Sequence, residues 1–170
     1  GGQRAALLGT VPPQHMYGLE TTVMLPLQSG MAVHSARPLL PADVAAALAG
    51  MPAPRWLATT PLQLRAAIGE NATFAPLAGV LSATMPLPRE VALAAEGRWR
   101  VPVHEIYGCT EAGTVALRRS ASETRWHACE GLRVWRKAGD AWAAGGHLDV
   151  ALDRRDGLTQ LIQRFDFNLY

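Results

Sequence analysis

Between Met31 and Val103 the chain alternates, three times in succession, a short apolar run with a helical stretch of about ten residues that starts at or just after a proline. The apolar runs fall at 31–34, 55–58 and 77–83, with a fourth beginning at Val103, and the helical stretches fall at 41–48, 62–68 and 89–96. Each proline has a physical reason to stand where it does. Its φ is already helical, and its missing N–H would have no partner in a first turn anyway. Gly50 and Gly69 close two of the stretches, and Thr60 before Pro61 offers a capping hydroxyl. Runs this short and this apolar are strands buried on both faces, and linking them through helices gives βαβ units on a parallel sheet. The expected fold class is α/β. Upstream, 6–11 reads as a further buried strand closed by Pro12-Pro13. A helix over 14–27 follows, with Tyr17, Leu19, Val23, Met24 and Leu27 on one side, ended at Gln28-Ser29-Gly30.

After Gly113 the pattern changes. Short strand-like runs at 114–117, 127–129, 132–135, 147–152 and 158–162 are separated by Gly131, Ala138-Gly139-Asp140, Gly145-Gly146 and Asp156-Gly157. The expected organisation is an α/β portion over 1–113 followed by a small antiparallel β subdomain over 114–170. Hydrophobic residues make up 49% of the chain and charged residues only 18%, which is apolar for the surface of a small domain. That balance suggests that part of the surface is covered by something else, so the chain is expected to be a piece of a larger protein. The five tryptophans, Trp56, Trp99, Trp126, Trp135 and Trp142, read as core or interface anchors.

A net charge of +2, with basic residues scattered rather than striped, argues against nucleic acid as a partner. No run reaches the ~18 apolar residues of a membrane helix, so no membrane span is expected. Cys109 and Cys129 make neither a disulfide framework nor a metal cluster, and a reducing, cytoplasmic setting is expected. His127 and Cys129 share a strand face, but two ligands do not make a zinc site. His104, five residues from Cys109 on one strand, faces the other way, so Cys109 reads as a small filler rather than a nucleophile.

The stretch from Val103 to Gly113, VHEIYGCTEAG, is where the chemistry concentrates. A β-prone run stops in small and polar residues, as a strand does when it delivers polar groups to an open edge. Parallel sheets bind ligands beyond the carboxyl ends of their strands. Three such ends carry polar or aromatic groups: His15, the segment from Ser82 to Pro86, and the segment from Tyr107 to Gly113. No GxGxxG follows any of the expected strands, which disfavours an unrelated dinucleotide-binding domain.

IYGCTEAG resembles the tyrosine-glycine-x-threonine-glutamate core motif of adenylate-forming (AMP-binding) enzymes, the superfamily of acyl- and aryl-CoA synthetases, luciferases and peptide-synthetase adenylation domains. PPQHMYGLE at 12–20 is similar to the family's upstream histidine-aromatic segment, and LSATMPLP at 81–88 to its strand and small-residue turn. Asp149, then Asp156-Gly157, then Arg164 resemble the ribose-binding aspartate, an aspartate-glycine turn and the arginine near the interdomain hinge; Asp153 competes with Asp149 for the ribose role. The resemblance implies part of the large N-terminal domain of such an enzyme, with ATP and Mg²⁺ as cofactors.

The same resemblance assigns roles. Tyr107 and Gly108 would lie against adenine, with Ser82, Ala83, Thr84 and Met85 walling the other side of the nucleotide. Thr110 would donate to phosphate or to the substrate carboxylate, and Glu111 would hold Mg²⁺. Asp149 and Arg164 would contact ribose or phosphate, and His15 would line the slot for the acid. The activity implied is an AMP-forming acid–thiol ligase, which makes an acyl-adenylate from an aryl or fatty acid and passes it to coenzyme A or a phosphopantetheinyl carrier protein. The alternative is a non-catalytic nucleotide- or acyl-binding, or structural, domain. Residues 1–14 hold no Ser/Thr/Gly-rich loop ending in lysine, and Lys137 is the single lysine. Those parts are expected in the rest of the same enzyme, and these 170 residues alone are expected to turn over little or nothing.

Overall fold

In a computed structural model the described residues are 4–110, 112–129, 133–136, 142–145 and 149–152, the last three segments as backbone strands. The chain divides into two compact units, Gly1–Glu105 with Arg119–Ala121, and Ile106–Arg118 with Ser122–Tyr170.

The first unit is the expected parallel α/β layer. Its strands are β1 (Ala6–Gly9), β2 (Ala32–Val33), β3 (Arg55–Thr59), β4 (Gly79–Ser82) and the start of β5 (Val103–Cys109). They lie in the order β2-β1-β3-β4-β5, and each neighbouring pair is parallel. The connections are α1 (Met16–Leu19), which continues through a π-helical stretch Glu20–Met24 into α2 (Leu25–Ser29), then α3 (Pro41–Ala49), α4 (Pro61–Gly69) and α5 (Arg89–Trp99). Pro41 and Pro61 open their helices, and Thr60 caps α4 by accepting the Gln63 N–H at 3.3 Å. Helix α5 runs three residues beyond the expected 96, because Gly97 is accommodated and the left-handed Arg100 at φ 57° ends the helix.

The register explains the core. Leu8, Leu57, Val80 and Val103 are partners across four strands, and none is more than 1% exposed. Val44 and Leu48 of α3, Leu64 of α4 and Val91 of α5 pack in the same cluster. Burial at this scale supplies roughly 1.5–3 kcal/mol per large side chain, the main term opposing chain entropy.

The stretch 16–29 is helical as expected, but the residues it buries differ. Leu19, Met24 and Leu27 are exposed, Leu27 at 77%, while Tyr17, Gly18, Thr21 and Thr22 are buried. Two features account for this. Thr21 and Thr22 return their hydroxyls to the carbonyls of Tyr17 and Gly18 at 2.6 and 2.7 Å, so their polarity is satisfied within the helix. Gly18 also lies so close to the Pro12 carbonyl that a Cβ there would sit 2.0 Å from its oxygen, and no larger residue fits.

Glu96 joins α5 to the segment after β6 (Gly113–Arg118) through residues that all belong to the first unit. Its Oε1 accepts the Val103 N–H at 2.9 Å and Arg119 Nε–H at 2.8 Å, and its Oε2 takes Arg119 Nη2 at 2.7 Å. Burial works to raise the Glu96 acid, but the Arg119 fork, the Val103 N–H and the positive charges of Arg119 and His104 outweigh it and hold it below the ordinary 4.5. A carboxyl depressed in the folded state contributes stability above its unfolded value and loses that contribution as pH falls through the folded one. Below about pH 4.5 the thermal midpoint of the parent protein is therefore expected to fall more steeply than that of Glu96→Gln. Parallel acid limbs for the two proteins would remove this assignment.

In the second unit the far half of β5 neighbours β6, which pairs antiparallel with β7 (His127–Ala128) through Ala116↔Ala128 and Leu117↔His127. A three-stranded antiparallel sheet follows, of β8 (Arg133–Arg136), β9 (Trp142–Gly145) and β10 (Asp149–Leu152). The expected run at 158–162 lies outside the described residues. Among the described residues no helix is long and apolar enough to cross a membrane.

Candidate functional site

The carboxyl edge of the first unit carries a second row of side chains, two residues beyond the apolar one. Thr10, Thr59, Ser82 and Glu105 follow Leu8, Leu57, Val80 and Val103 at the period of one strand face. All four are polar, and none is more than 3% exposed. Buried polar groups are costly unless they are hydrogen-bonded, and most of this row is. Thr10 Oγ1 lies 3.0 Å from Thr59 Oγ1, and the hydroxyls of Thr10, Thr59 and Thr60 gather on Gln63 Oε1 at 2.7, 3.1 and 3.1 Å. At the other end Glu105 Oε1 accepts the Leu87 N–H at 2.8 Å and Oε2 accepts from Ser120 Oγ at 2.5 Å. Ser82 Oγ, between them, makes no hydrogen bond among the described residues.

Sequence reading missed this row apart from Ser82. The signal was present in Leu8-x-Thr10, Leu57-x-Thr59, Val80-x-Ser82 and Val103-x-Glu105, each an apolar strand residue followed two places on by a polar one. Tyr17 also belongs to this end of the unit. Its hydroxyl is buried beside the Thr59 main chain without a hydrogen bond of good geometry among the described residues. Burial pushes it far above the ordinary phenol range, against a smaller lowering by Thr59, so it remains a neutral O–H.

Two of the expected site segments stand on this edge. After β4, Ser82 and Ala83 are buried while Thr84, Met85 and Pro86 are exposed. This exposed turn is held at both ends: Ala83 N–H donates to the Thr59 carbonyl at 3.4 Å, and Leu87 N–H to Glu105. Thr84 adopts φ +83°, a region that a β-branched residue rarely enters, so its backbone is strained by about 1–3 kcal/mol. After β1, the turn through Pro12 brings His15 to the N-cap of α1, with its N–H on the Pro12 carbonyl at 3.2 Å and its own carbonyl accepting from Leu19 at 2.8 Å. The His15 ring is exposed.

The second unit holds the remaining expected residues. Tyr107, Gly108 and Cys109 complete β5, and Thr110 follows them at an exposed position. Tyr107 meets Trp126 edge to face, with ring centroids 5.5 Å apart and an interplanar angle of 62°. The Arg118 guanidinium lies 4.3 Å from the Trp126 ring centroid. Edge-to-face pairing contributes about 0.5–1.5 kcal/mol to the Tyr107–Trp126 contact, and the Arg118 guanidinium braces Trp126 from its ring face. Sequence reading took Trp126 as an anchor but did not connect it to Tyr107.

Chain reversal between β5 and β6 is tight. A Cβ on Gly108 would lie 2.2 Å from the Gly113 carbonyl oxygen, and Gly113 itself has φ +68°. Glu111 lies outside the described residues, as does Arg164. Asp149 opens β10 opposite Gly145, and its side chain lies outside the described residues. Among the described residues no group of three or more His, Cys, Asp or Glu is placed to hold a metal ion.

A family described as AMP-binding enzyme matches residues 1–135. Several solved structures share the fold. An anthranilate CoA ligase, AuaEII, in complex with anthranoyl-AMP superposes with a TM-score of 0.72 at 14% identity, over 88% of this chain and 33% of that one. Wild-type Escherichia coli MenE with a bound analogue of OSB-AMS gives 0.69 at 20% identity, over 86% and 31%. ATP-bound MatB from Rhodopseudomonas palustris gives 0.67 at 15% identity, over 84% and 32%. The chain thus spans about a third of the length of these structures. No curated protein sequence matches it.

Proposed function

The chain belongs to the AMP-binding enzyme family, and on that premise we propose that it forms the nucleotide-side portion of an ATP-dependent ligase that activates a carboxylic acid as its acyl-adenylate. The acid is of the aryl or fatty acyl class, and the acceptor is a thiol, of coenzyme A or of a carrier-protein phosphopantetheine. The observation that carries this reading is the Tyr107-Gly108-x-Thr110 segment at the end of β5 in a chain that matches the family over residues 1–135. The pinned, exposed turn after β4 supports it. Small residues at Ser82 and Ala83 let the main chain come close to a planar base, and the open backbone at Thr84 and Met85 suits reading of a base edge. ATP-bound MatB and the anthranoyl-AMP complex of an anthranilate CoA ligase share the fold.

The chemistry asked of the chain is positional and electrostatic. The acid carboxylate attacks the α-phosphate, pyrophosphate leaves, and charge develops on phosphoryl oxygens that fixed donors stabilise. In this reading Tyr107 and Gly108 stack against adenine, while Ser82, Ala83, Thr84 and Met85 present main chain to it. Thr110 donates to phosphate or to the carboxylate. Asp149 and Arg164 take the ribose and phosphate side, and His15 lines the acid slot. Glu111 is the residue that would hold Mg²⁺, a hard oxygen donor suited to a hard cation, and the bound ion would supply positive charge to the phosphates.

The test is exchange of labelled pyrophosphate into ATP by the full-length protein over a panel of aryl and fatty acids. Exchange that depends on one class of acid and on Mg²⁺ is the expected result. ATP binding without exchange would select the non-catalytic nucleotide-binding reading, and neither binding nor exchange would remove both.

A further inference from the structure

We propose that Glu105 is a positioning residue for ATP: buried at the end of the polar row, it fixes the turn after β4 by accepting the Leu87 N–H, so that the main chain at Thr84 and Met85 meets the adenine base in one conformation. The inference rests on the reading of that turn as the nucleotide wall, and everything it uses lies within the first unit. Three observations carry it. Glu105 is only 2% exposed and both of its carboxylate oxygens are engaged, Oε1 by the Leu87 N–H and Oε2 by the Ser120 hydroxyl, so the group is held in one orientation. Its Oε1 reaches across from β5 to Leu87 at 2.8 Å, eighteen residues back in the chain. Leu87 is itself 3% exposed and seated in the core, so the hydrogen bond connects a rigid strand to a rigid anchor, with only the buried Ala83 and the exposed Thr84, Met85 and Pro86 between that anchor and the end of β4.

The turn has reason to need a tether. Thr84 is held at φ +83°, a conformation it leaves readily unless the surroundings over-determine it. On one side the turn is fixed by Ala83 N–H on the Thr59 carbonyl, a long 3.4 Å contact. Glu105 supplies the second, shorter fixing point. Ser120, whose hydroxyl donates to Oε2, orients the carboxyl group but does not touch the turn.

The experiment uses the full-length protein and compares Glu105→Ala, Glu105→Gln, Glu105→Asp and Ser120→Ala. Loss of a hydrogen bond of this kind weakens binding by about tenfold, so E105A is expected to raise the Kd for ATP by about that factor while the KM for the acid stays within about twofold. The Leu87 amide should exchange with deuterium faster in E105A. E105Q keeps an oxygen at the same reach and should return ATP affinity to within about threefold of the parent. E105D keeps the acid but shortens the arm, so it should behave as E105A does, and it replaces E105A if the alanine variant does not fold. S120A keeps the Oε1 contact with the Leu87 N–H but frees the carboxyl group to turn, so its loss of ATP affinity and its rise in Leu87 exchange should both be smaller than those of E105A. A folded E105A or E105D with parental ATP affinity overturns the inference, as does an equal loss for ATP and acid, or an E105Q as weak as E105A. A parent protein that binds no ATP removes the reading of the site itself, a result distinct from a parent that binds and a variant that binds equally well.

Discussion

Gly108→Ala is expected to destabilise the protein by about 2–4 kcal/mol and to abolish ATP binding with it. The added Cβ would stand 2.2 Å from the Gly113 oxygen, 2.9 Å from its carbonyl carbon and 3.0 Å from Thr114 Cα. All three are main-chain atoms of the neighbouring strand, so no side chain can swing aside to make room. Relief requires β5 and β6 to separate at the point where Gly113 already occupies φ +68° and Ala112 N–H closes the turn on the Cys109 carbonyl at 3.2 Å. Tyr107 precedes Gly108 and Thr110 follows two residues on, so the movement displaces both. Gly69→Ala is the matched control. Gly69 is the last residue of α4 and meets nothing within 4 Å, so alanine there is expected to be neutral or to stabilise by up to about 1 kcal/mol. Thermal unfolding with ATP titration reads both variants. Equal midpoints for G108A and G69A would show that the two strands do not approach this closely.

The parts of the fold that local chemistry dictates were legible in the sequence. Proline at Pro41 and Pro61 and the Thr60 hydroxyl act within one turn of where they stand, and each opens the helix assigned to it. Apolar runs too short for helices gave the parallel strands for the same reason. What was not legible depends on neighbours distant in sequence. The polar row exists only once β1, β3, β4 and β5 are in register, and no single strand reveals that Thr10 and Glu105 occupy the same level. The buried face of 16–29 was misread because leucine and methionine were weighed by hydrophobicity. The buried residues there are instead Tyr17, Gly18 and two threonines whose hydroxyls are already satisfied by the helix backbone. Strand β9 was missed because Ala143, Ala144 and Gly145 carry little strand propensity, and pairing with β8 and β10 decides their conformation.

The candidate site divides along the same line. A motif contiguous in the chain, such as Tyr107-Gly108-x-Thr110, can be read directly. Its support cannot, because Trp126 reaches Tyr107, and Arg118 reaches Trp126, through the folding of β6 and the segment after it. The same holds for the turn after β4, whose small residues were readable while its anchor on Glu105 was not. Residues assigned to the ligand are thus visible as short patterns, and residues that hold those patterns still are visible only through pairing.

Glu111→Gln is expected to lower the rate of pyrophosphate exchange by about 100-fold or more, if its role is to hold Mg²⁺ against the phosphates. The substitution keeps the side-chain volume and one oxygen donor but removes the negative charge, and a hard divalent cation loses most of its attraction to a neutral amide. The deficit should therefore depend on metal concentration. Raising Mg²⁺ is expected to recover part of the E111Q rate while the parent is already saturated, and the apparent Mg²⁺ requirement should shift upwards by about tenfold. ATP affinity measured without metal should change little, because adenine contacts are assigned to Tyr107 and the turn after β4. Thr110→Val separates the neighbouring role: a lost hydroxyl donor slows exchange at every Mg²⁺ concentration alike. An E111Q protein with parental rate and parental Mg²⁺ dependence would make Glu111 a solvated loop carboxylate and would leave metal binding to residues in other parts of the enzyme.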